Sequence, residues 1–241
     1  MPSVLELAEI CNASYDSSPN VDGWRAVKPF YNFLSNKGFF AAVFRKGEEH
    51  VMVFRGTDDK THDIVSDATL TLGYPPQQYY AAKQAYSMFS RKYPKYKNDV
   101  TFTGYSLGGG LAAILSARDN NLPVVTFNSP GMLRAATNAG AFGLRGHYNY
   151  WTNKNGIRTY MNEFDKVLHI RSEWDLVSIG TGNKIIRNTK TLANPSCPDI
   201  VRGNGIQLLA QATAKAFCAH SMSNLLSVIR TMPEFRENIK W

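Results

Sequence analysis

The sequence predicts an α/β fold with a central, mostly parallel sheet and helices on both faces. From about residue 99 to residue 172, short apolar runs typical of buried strands alternate with segments that favour helix. This alternation is typical of a parallel sheet whose crossover helices cover its faces. With 241 residues, 44% of them hydrophobic, the chain is predicted to form a single domain over 1–241 with a sizeable core.

The individual elements follow from local patterns. Ser3 and Glu6 have the spacing of a capping box, which predicts a short amphipathic helix at the amino terminus. Two apolar runs within residues 38–57 flank a turn at Lys46–Glu49 and predict a hairpin or adjacent strands. Apolar patterning further predicts helices at 76–93, 107–119, 206–217 and 221–232, and strands at 99–105, 123–131 and 166–172.

Residues 132–162 differ from the rest of the chain because they are rich in Gly, Asn and Tyr and show little periodicity. We expect them to form a long excursion on the rim of the sheet, where loops tend to carry function. The aromatic residues Phe142, Tyr148, Tyr150 and Trp151 fit a lipid interface and ordinary packing within the loop equally well.

The chain is basic, with a net charge of +8 and a pI of about 9.4. A basic surface favours acidic partners, either nucleic acid or anionic lipid headgroups. The densest basic run, at 91–97, is typical of the solvated end of a helix, and the sequence has no recognisable nucleic-acid-reading motif. We therefore expect a lipid surface, and no nucleic acid, as partner.

The three cysteines, Cys11, Cys197 and Cys218, are widely spaced and contain no C-x-x-C pair. We expect a reduced chain without a zinc site, although the count leaves room for one bridge. The amino terminus lacks the basic and apolar regions of a signal peptide, and no run of about 18 apolar residues occurs. These patterns predict a soluble protein that is cytoplasmic or is exported by a route independent of a signal peptide.

The stretch "TFTGYSLGGGLAA" at 101–113 places Ser106 between Gly104 and Gly108. A G-x-S-x-G pattern alone is a weak signal, but here a strand-like run meets a helix-like run, as a nucleophile elbow requires. The two glycines allow the strand and the helix to approach each other. The amino end of the helix would direct the N–H of Leu107 toward an oxyanion. We therefore predict that Ser106 is a nucleophile.

A serine nucleophile needs a general base, and the chain order in such folds is serine, then acid, then histidine. His147, His169 and His220 follow Ser106. His147 falls in the rim excursion, and His169 falls within an apolar strand, where a packed core histidine is the usual finding. His220 lies between two helical segments, at a junction that can reach over a sheet edge, so we predict His220 as the base.

The predicted acid is Asp175, because it follows the strand at 166–172 and so lies at the carboxyl end that it shares with the nucleophile. Asp165 is at the opposite end of the same strand, and Asp199 has no strand context. Glu173 is the nearest rival.

A second oxyanion donor is expected after an earlier strand. The run at 51–59 is apolar until it breaks at Gly56–Thr57. The backbone N–H of Thr57 is the predicted donor, and its hydroxyl is a further one. One such donor typically contributes about 3–4 kcal/mol to transition-state stabilisation.

Metal binding is an alternative use of the neighbouring residues Asp58, Asp59, His62 and Asp63. These residues lack an i, i+4 histidine pair and cysteine partners, so a solvated loop explains them better. We expect no metal and no other cofactor.

Several motifs resemble, in order and at similar spacing, those of the class 3 lipases of the α/β-hydrolase superfamily: "VFRGT", "DIVSDA" (63–68), "FTGYSLGGGLA", "TFNSPG" and "VLHIRSEWDLVS". The match closes with His220 and covers roughly residues 38–225. The resemblance implies an α/β-hydrolase fold with Ser106 as the nucleophile, Asp175 as the acid and His220 as the base.

The same resemblance implies that Thr57 and Leu107 form the oxyanion hole and that Asp67 braces the Thr57 hydroxyl. Class 3 members cleave carboxylic ester bonds of acylglycerols or phospholipids without a metal, and in many of them a lid follows the first oxyanion loop. This chain departs from the family at Ile64, where tryptophan is usual, and in the short, polar segment 58–75, which disfavours a large hydrophobic lid. Unlike secreted fungal members, it shows no sign of a signal peptide or of disulfides. It looks more like compact bacterial members, some of which are delivered as phospholipase toxins.

These observations predict a serine esterase or lipase that hydrolyses lipid esters, most of all phospholipids, through an acyl-enzyme in a phospholipase A reaction. The toxin resemblance adds an antibacterial effector role, with an immunity or chaperone protein as partner. Two alternatives stay open: a short-chain esterase or thioesterase with the same triad, and a non-catalytic signalling or interaction module on a lipase scaffold. The second is disfavoured because every triad and oxyanion position holds a competent residue.

Overall fold

The computed structural model of the chain describes residues 1–16, 20–27, 39–55, 77–116, 122–130, 166–180, 188–201 and 203–240. Within these residues a seven-stranded sheet has a spatial order that follows the chain order. Its strands are β1 (Arg25–Val27), β2 (Phe40–Lys46), β3 (Glu49–Arg55), β4 (Val100–Tyr105), β5 (Val124–Phe127), β6 (Val167–Ser172) and β7 (Asn188–Leu192). The first three strands pair antiparallel, and β3 to β7 pair parallel. The mostly parallel sheet confirms the predicted fold class.

The described helices are α1 (Val4–Ala13), α2 (Gln77–Lys92), α3 (Leu107–Leu115), α4 (Leu176–Gly180), α5 (Gly205–His220) and α6 (Met222–Thr231). Short 3-10 helices follow at Pro94–Tyr96 and Pro233–Arg236. The predicted capping box of α1 is confirmed, since the Glu6 N–H donates to Ser3 Oγ at 3.2 Å and the Ser3 N–H donates to Glu6 Oε2 at 2.8 Å. Among the described helices, none is both long and apolar enough to cross a membrane.

Two hydrophobic clusters cover the two faces of the sheet. Alternate residues along β2 and β3 separate between them, with Met52 and Phe54 on one face and Val51 and Val53 on the other. The first face packs against α2 and α3, and the second packs against α1 and α6. Every residue of β4 and β5 is buried, so both strands lack charged residues: β5 is apolar except for Thr126, and β4 alternates apolar residues with the buried Thr101 and Thr103.

The sequence did not predict the two edge strands, β1 and β7. The strand β1 has only three residues, and β7 (Asn188–Leu192) is largely exposed and polar. Short, polar strands are a common way to protect a sheet edge from pairing with another chain. They carry no apolar run, which is the pattern that revealed the central strands.

The prediction of a reduced chain is wrong, because Cys197 and Cys218 form a disulfide with their Cα atoms 5.5 Å apart. The pairing was hidden because the two cysteines meet only when α5 folds back over the segment before it. There the Val201 N–H donates to Gln211 Oε1 at 2.7 Å. Cys11 is free and buried, and burial raises the pKa of its thiol to about 12.

Several predictions concern residues outside the described part of the chain. These are the rim excursion at 132–162 with its aromatic residues, the short lid segment at 58–75, and the metal alternative at 58–63. The predicted site residues Thr57 and Asp67 also lie outside the described residues. The basic run at 91–97 is described, and it covers the end of α2 and the adjoining 3-10 helix, as predicted.

Candidate active site

The carboxyl ends of three neighbouring parallel strands form one edge of the sheet. Ser106 directly follows β4, Asn128 directly follows β5, and Asp175 lies three residues beyond the end of β6. In open α/β sheets, ligands bind in the crevice outside the carboxyl ends of the strands.

Ser106 occupies a sharp turn between β4 and α3. Its backbone has φ of 52° and ψ of −131°, a combination that L residues with a side chain rarely adopt. Such a conformation costs about 1–3 kcal/mol and persists only where the surroundings enforce it. Here the Ser106 N–H donates to the Phe127 carbonyl at 3.0 Å, and the Gly110 N–H donates to the Ser106 carbonyl at 3.2 Å.

The turn also depends on glycines that permit very close backbone contacts. A Cβ at Gly104 would lie 2.5 Å from the Gly108 carbonyl carbon, and a Cβ at Gly108 would lie 2.1 Å from the Phe54 oxygen. Both are far below van der Waals contact, so neither position accepts a side chain. Gly109, which lies outside the G-x-S-x-G pattern, is similarly restricted, since a Cβ there would lie 2.7 Å from the Gly104 oxygen.

The structure brings Ser106, His220 and Asp175 into one chain of hydrogen-bond contacts. His220 Nε2 lies 3.0 Å from Ser106 Oγ, and His220 Nδ1 lies 2.8 Å from Asp175 Oδ1. Because a carboxylate only accepts, Nδ1–H donates to Asp175, which leaves the Nε2 lone pair to accept from the serine hydroxyl. The site is nearly sealed: Asp175 is 0% exposed, His220 6% and Ser106 7%.

A second strained turn directs Asp175 into the protein. Trp174 has φ of 65°, and the Asp175 N–H donates to the Ser172 carbonyl at 3.3 Å. The Val177 N–H donates to Asp175 Oδ1 at 3.3 Å. The rival carboxylate Glu173 is exposed.

The other sequence candidates lie elsewhere. Asp199 is exposed and pairs with Lys215 at 3.2 Å. His169 lies in the sheet, fully buried, with Nδ1 2.7 Å from Thr126 Oγ1, and burial lowers its pKa to about 4. His169 is therefore a neutral core histidine near neutral pH, as its apolar sequence context predicted. His147 and Asp165 lie outside the described residues.

Leu107 is the first residue of α3, so its N–H is among those that an α-helix leaves unpaired at its amino end. It is 8% exposed and directly follows Ser106. Among the described residues, no cluster of three or more His, Cys, Asp or Glu residues could hold a metal ion.

Asn128, which is not among the site residues predicted from the sequence, connects the chain segments that carry the triad. Its Nδ2 donates to the carbonyls of Ala219 at 2.8 Å and His220 at 3.1 Å, and its Oδ1 accepts from the Ser172 N–H at 2.8 Å. Its backbone N–H donates to Ile170 at 2.9 Å. One buried amide thus joins the end of α5 to the end of β6. The signal was present, since Asn after a strand often marks a turn with positive φ, and φ here is 44°.

Tyr105 adds a second support for the histidine. Its hydroxyl donates to the His220 carbonyl, and its ring centroid lies 5.1 Å from that of the imidazole at an interplanar angle of 36°. Together with Asn128 it fixes the end of α5, so the orientation of the imidazole is set by buried contacts on β4 and β5.

A sequence model of a phospholipase-like family, described as the Tle-like phospholipase domain, matches residues 6–195. The chain belongs to this family. The lipase- or phospholipase-like family expected from the motifs is thereby confirmed.

Two comparisons accompany the family match. The extracellular phospholipase A1 of Serratia liquefaciens is 28% identical over 164 residues, which cover 66% of this chain and 47% of the relative. The chain therefore spans about half the length of that curated relative. A triacylglycerol lipase from Penicillium expansum has a similar fold, with a TM-score of 0.50, 14% identity and coverage of 79% of each chain. The family member thus has an α/β-hydrolase fold.

Replacing Asn128 is expected to impair ester hydrolysis through kcat rather than KM. Asn128→Gly tolerates the positive φ but removes three side-chain hydrogen bonds, so the imidazole loses its fixed position. Because small misplacements of a catalytic group cost up to about a hundredfold in rate, we expect kcat for a soluble ester to fall about ten- to a hundredfold. Steady-state kinetics of the wild type and the variant measure this fall. Asn128→Ala removes the same side-chain hydrogen bonds and also strains the backbone, because alanine tolerates the positive φ less well than glycine does. An unchanged kcat in a folded, destabilised Asn128→Gly protein would restrict Asn128 to a structural role.

The buried His169 predicts a loss of stability in acid. The unfolded chain takes up a proton on this residue below about pH 6.5, whereas the folded protein does so only near pH 4. The free energy of unfolding should therefore fall as the pH decreases through this window, by about 3 kcal/mol for this group. Denaturant unfolding at pH 7 and pH 4 measures the fall, and His169→Gln, which keeps a partner for Thr126, should reduce it. Equal pH dependence in both proteins would contradict the assignment.

Proposed function

We propose that the chain is a serine phospholipase of the A type, which hydrolyses a carboxylic ester bond of a phospholipid through an acyl-enzyme. The observation that carries the proposal is the hydrogen-bonded series Ser106–His220–Asp175, mounted on a strained turn at the carboxyl edge of the sheet. Nucleophile, base and orienting acid are recognised by this geometry rather than by sequence position.

The reaction begins when Ser106 Oγ attacks the acyl carbonyl carbon and its proton passes to His220 Nε2. The carbonyl electron pair moves to oxygen, and the Leu107 N–H at the amino end of α3 donates to the resulting oxyanion. The intermediate then expels the lysophospholipid oxygen, which takes the proton from His220. A water molecule repeats these steps on the acyl-enzyme and releases the fatty acid.

The burial of Asp175 suits the role of stabilising the imidazolium that forms on His220. The carboxylate is fully buried, and within the described part of the chain its Oδ2 has no hydrogen-bond partner. An isolated buried carboxylate is costly, and a positive neighbour reduces this cost. Proton transfer to His220 supplies that positive charge at the moment when it stabilises the transition state.

We propose Thr57 as the second donor of the oxyanion hole, with Asp67 bracing the Thr57 hydroxyl. The chain leaves β3 at Arg55, two residues before Thr57, and the preceding Phe54 is in the close contact with Gly108 described above. The end of β3 is therefore beside the turn that carries Ser106, which supports a donor from this stretch.

A phospholipid substrate is supported by the family and by charge. The Serratia relative is a phospholipase A1, and the net charge of +8 favours the anionic surface of a bilayer. We infer that the chain acts at such a surface, with no nucleic acid as partner. Neither a metal nor another cofactor enters the proposed reaction, since each proton and electron pair is accounted for by the triad, the substrate and water.

We further propose an exported effector that acts on the phospholipids of a target cell, with an immunity or chaperone protein as its partner. The Cys197–Cys218 disulfide supports action outside the reducing cytosol, because disulfides persist mainly in oxidising compartments. The resemblance to compact bacterial phospholipase toxins supports it as well.

The triad predicts that Ser106→Ala abolishes fatty-acid release. Removing a triad serine costs up to about a millionfold in kcat, which places the residual rate below detection. Fatty-acid release is measured from phospholipid vesicles and from a soluble short-chain ester. Ser90→Ala on α2 is the matched control and should retain both activities, because this half-buried hydroxyl donates to the Tyr86 carbonyl within its own helix.

The outcomes separate the alternatives. Vesicle hydrolysis that requires Ser106 supports the phospholipase, and the positions of the released acyl chains then identify the ester that is cut. Hydrolysis of the short ester alone would favour the soluble esterase or thioesterase. Neither activity in a folded protein would favour the non-catalytic module.

The effector role predicts toxicity that depends on the site of delivery. Expression directed to the periplasm of a Gram-negative bacterium should reduce growth and phospholipid content, and the same chain carrying Ser106→Ala should not. Cytoplasmic expression should be less toxic, because the disulfide that holds α5 forms poorly there. Equal growth of the wild type and the variant in the periplasm would argue against the effector role.

A further inference from the structure

Helix α5 carries a row of apolar side chains that leads to the catalytic histidine. Ile206, Leu209, Thr213 and Phe217, here called the α5 stripe, are spaced by three, four and four residues, and His220 follows after three more. Residues at this spacing share one face of an α-helix. The stripe and His220 therefore lie along the same side of α5.

The apolar members of the stripe face solvent. Ile206 is 83% exposed, Leu209 69% and Phe217 43%. Every residue from 203 to 210 is exposed, so the first turns of α5 project from the body of the protein. Monomers rarely expose contiguous apolar patches of this kind unless they bind a partner or a membrane.

The polar member of the stripe is adapted to apolar surroundings. The Thr213 hydroxyl donates to the Leu209 carbonyl within the helix at 2.9 Å. Its hydrogen-bonding capacity is thus largely satisfied by the helix backbone, and its methyl group remains to contact the surroundings. The stripe can enter an apolar phase without leaving this donor unpaired.

The opposite side of α5 attaches the helix to the protein. Gln211, Lys215 and Cys218 share that side, and they bind respectively the Val201 N–H, the Asp199 carboxylate and, through the disulfide, Cys197. The attachments therefore hold α5 by one face and direct the stripe outward.

The projecting end of α5 is also stabilised within itself. The Gln207 N–H donates to Asn204 Oδ1 at 3.0 Å, and the Asn204 N–H donates to Gln207 Oε1 at 3.1 Å. This capping box satisfies two backbone N–H groups at the amino end of α5 with side-chain oxygens of the helix itself. The stripe is a formed surface before any partner arrives.

The charge around the stripe suits an anionic surface. Residues 201–233 contain no Asp or Glu, although they contain Arg202, Lys215 and Arg230. The whole chain has a net charge of +8. The carboxylate that α5 contacts, Asp199, is paired with Lys215 on the attached side of the helix, so the stripe itself presents no carboxylate to an anionic bilayer. A basic chain is attracted to such a surface.

We propose that the α5 stripe docks on an anionic phospholipid bilayer and inserts its apolar side chains among the lipids. The proposal rests on the proposed phospholipase function, because it brings Ser106 and His220 to the surface that holds the substrate. Leu176, which is exposed and adjacent to Asp175, begins α4, the helix that contacts α5, and it adds an apolar side chain near the site. An amphipathic helix of this kind lies in the interface with its apolar face buried.

The test measures vesicle binding separately from catalysis. Two proteins are sedimented with vesicles of equimolar phosphatidylcholine and phosphatidylglycerol. The parent carries Ser106→Ala, and the stripe variant carries Ser106→Ala together with Ile206→Gln and Leu209→Gln. Because burying each such side chain is worth roughly tenfold in partition, the double change should lower the partition coefficient about a hundredfold. The matched control is Leu208→Gln, the neighbouring leucine on the other side of the helix, which should change partition less than about threefold.

Each outcome decides for or against the docking surface. A loss confined to the stripe variant supports it, provided that circular dichroism and the melting temperature match those of the control. Vesicle binding that is absent in the parent, equal in the stripe variant, or lost equally in the control would overturn it. A parent that is dimeric by light scattering and becomes monomeric on stripe substitution would assign the stripe to contact between two copies, which also overturns it. None of these results depends on hydrolysis, so the triad proposal is tested independently by Ser106→Ala.

Discussion

Three strained turns at one edge of the sheet determine how the site is built. Ser106, Asn128 and Trp174 are the non-glycine residues with positive φ among the described residues, and they follow β4, β5 and β6. Each such conformation costs about 1–3 kcal/mol and requires compensation from its surroundings. The compensation comes from the buried core of the sheet, which fixes where each strand ends. Strain is thus concentrated at the edge where the proposed chemistry occurs.

The turns are useful because they convert parallel strands into converging side chains. A strand that continued straight would project its polar residues away from its neighbours, whereas these turns bring Ser106 and Asp175 to opposite sides of His220. Beyond the ends of the strands, the side-chain amide of Asn128 holds the segments together by hydrogen bonds. It joins the end of β5, which precedes Asn128, to the end of β6 and to α5. The accuracy of the site therefore depends on side-chain hydrogen bonds beyond the end of the sheet.

The sequence predicted what depends on local pattern. Short runs rich in apolar and β-branched residues revealed the central strands, because strands buried on both faces exclude most charged residues. The glycines around Ser106 revealed a turn that only small residues permit. The edge strands β1 and β7 were not predicted, because a short, polar, exposed strand has no distinguishing sequence pattern. The disulfide and the contacts of Asn128 escaped because their partners are distant in sequence: Asn128 binds carbonyls about ninety residues away. Such contacts exist only once the fold has assembled, and no local periodicity reports them.

The partial charges at the ends of two helices stabilise the charges that would develop in the proposed reaction. Ser106 precedes the amino end of α3, and His220 is the last residue of α5. Negative charge would develop on the substrate oxygen at a positive helix end, and positive charge would develop on the imidazole at a negative helix end. Each helix terminus contributes about 0.3–1 kcal/mol, and up to about 2 kcal/mol when partly buried, compared with about 3–4 kcal/mol for one oxyanion donor. The direct hydrogen bonds therefore dominate, and the helix ends set a favourable field in which both charges can appear together. The same carboxyl end of α5 is held by Asn128 and Tyr105, so the residues that orient the imidazole also fix the dipole beside it.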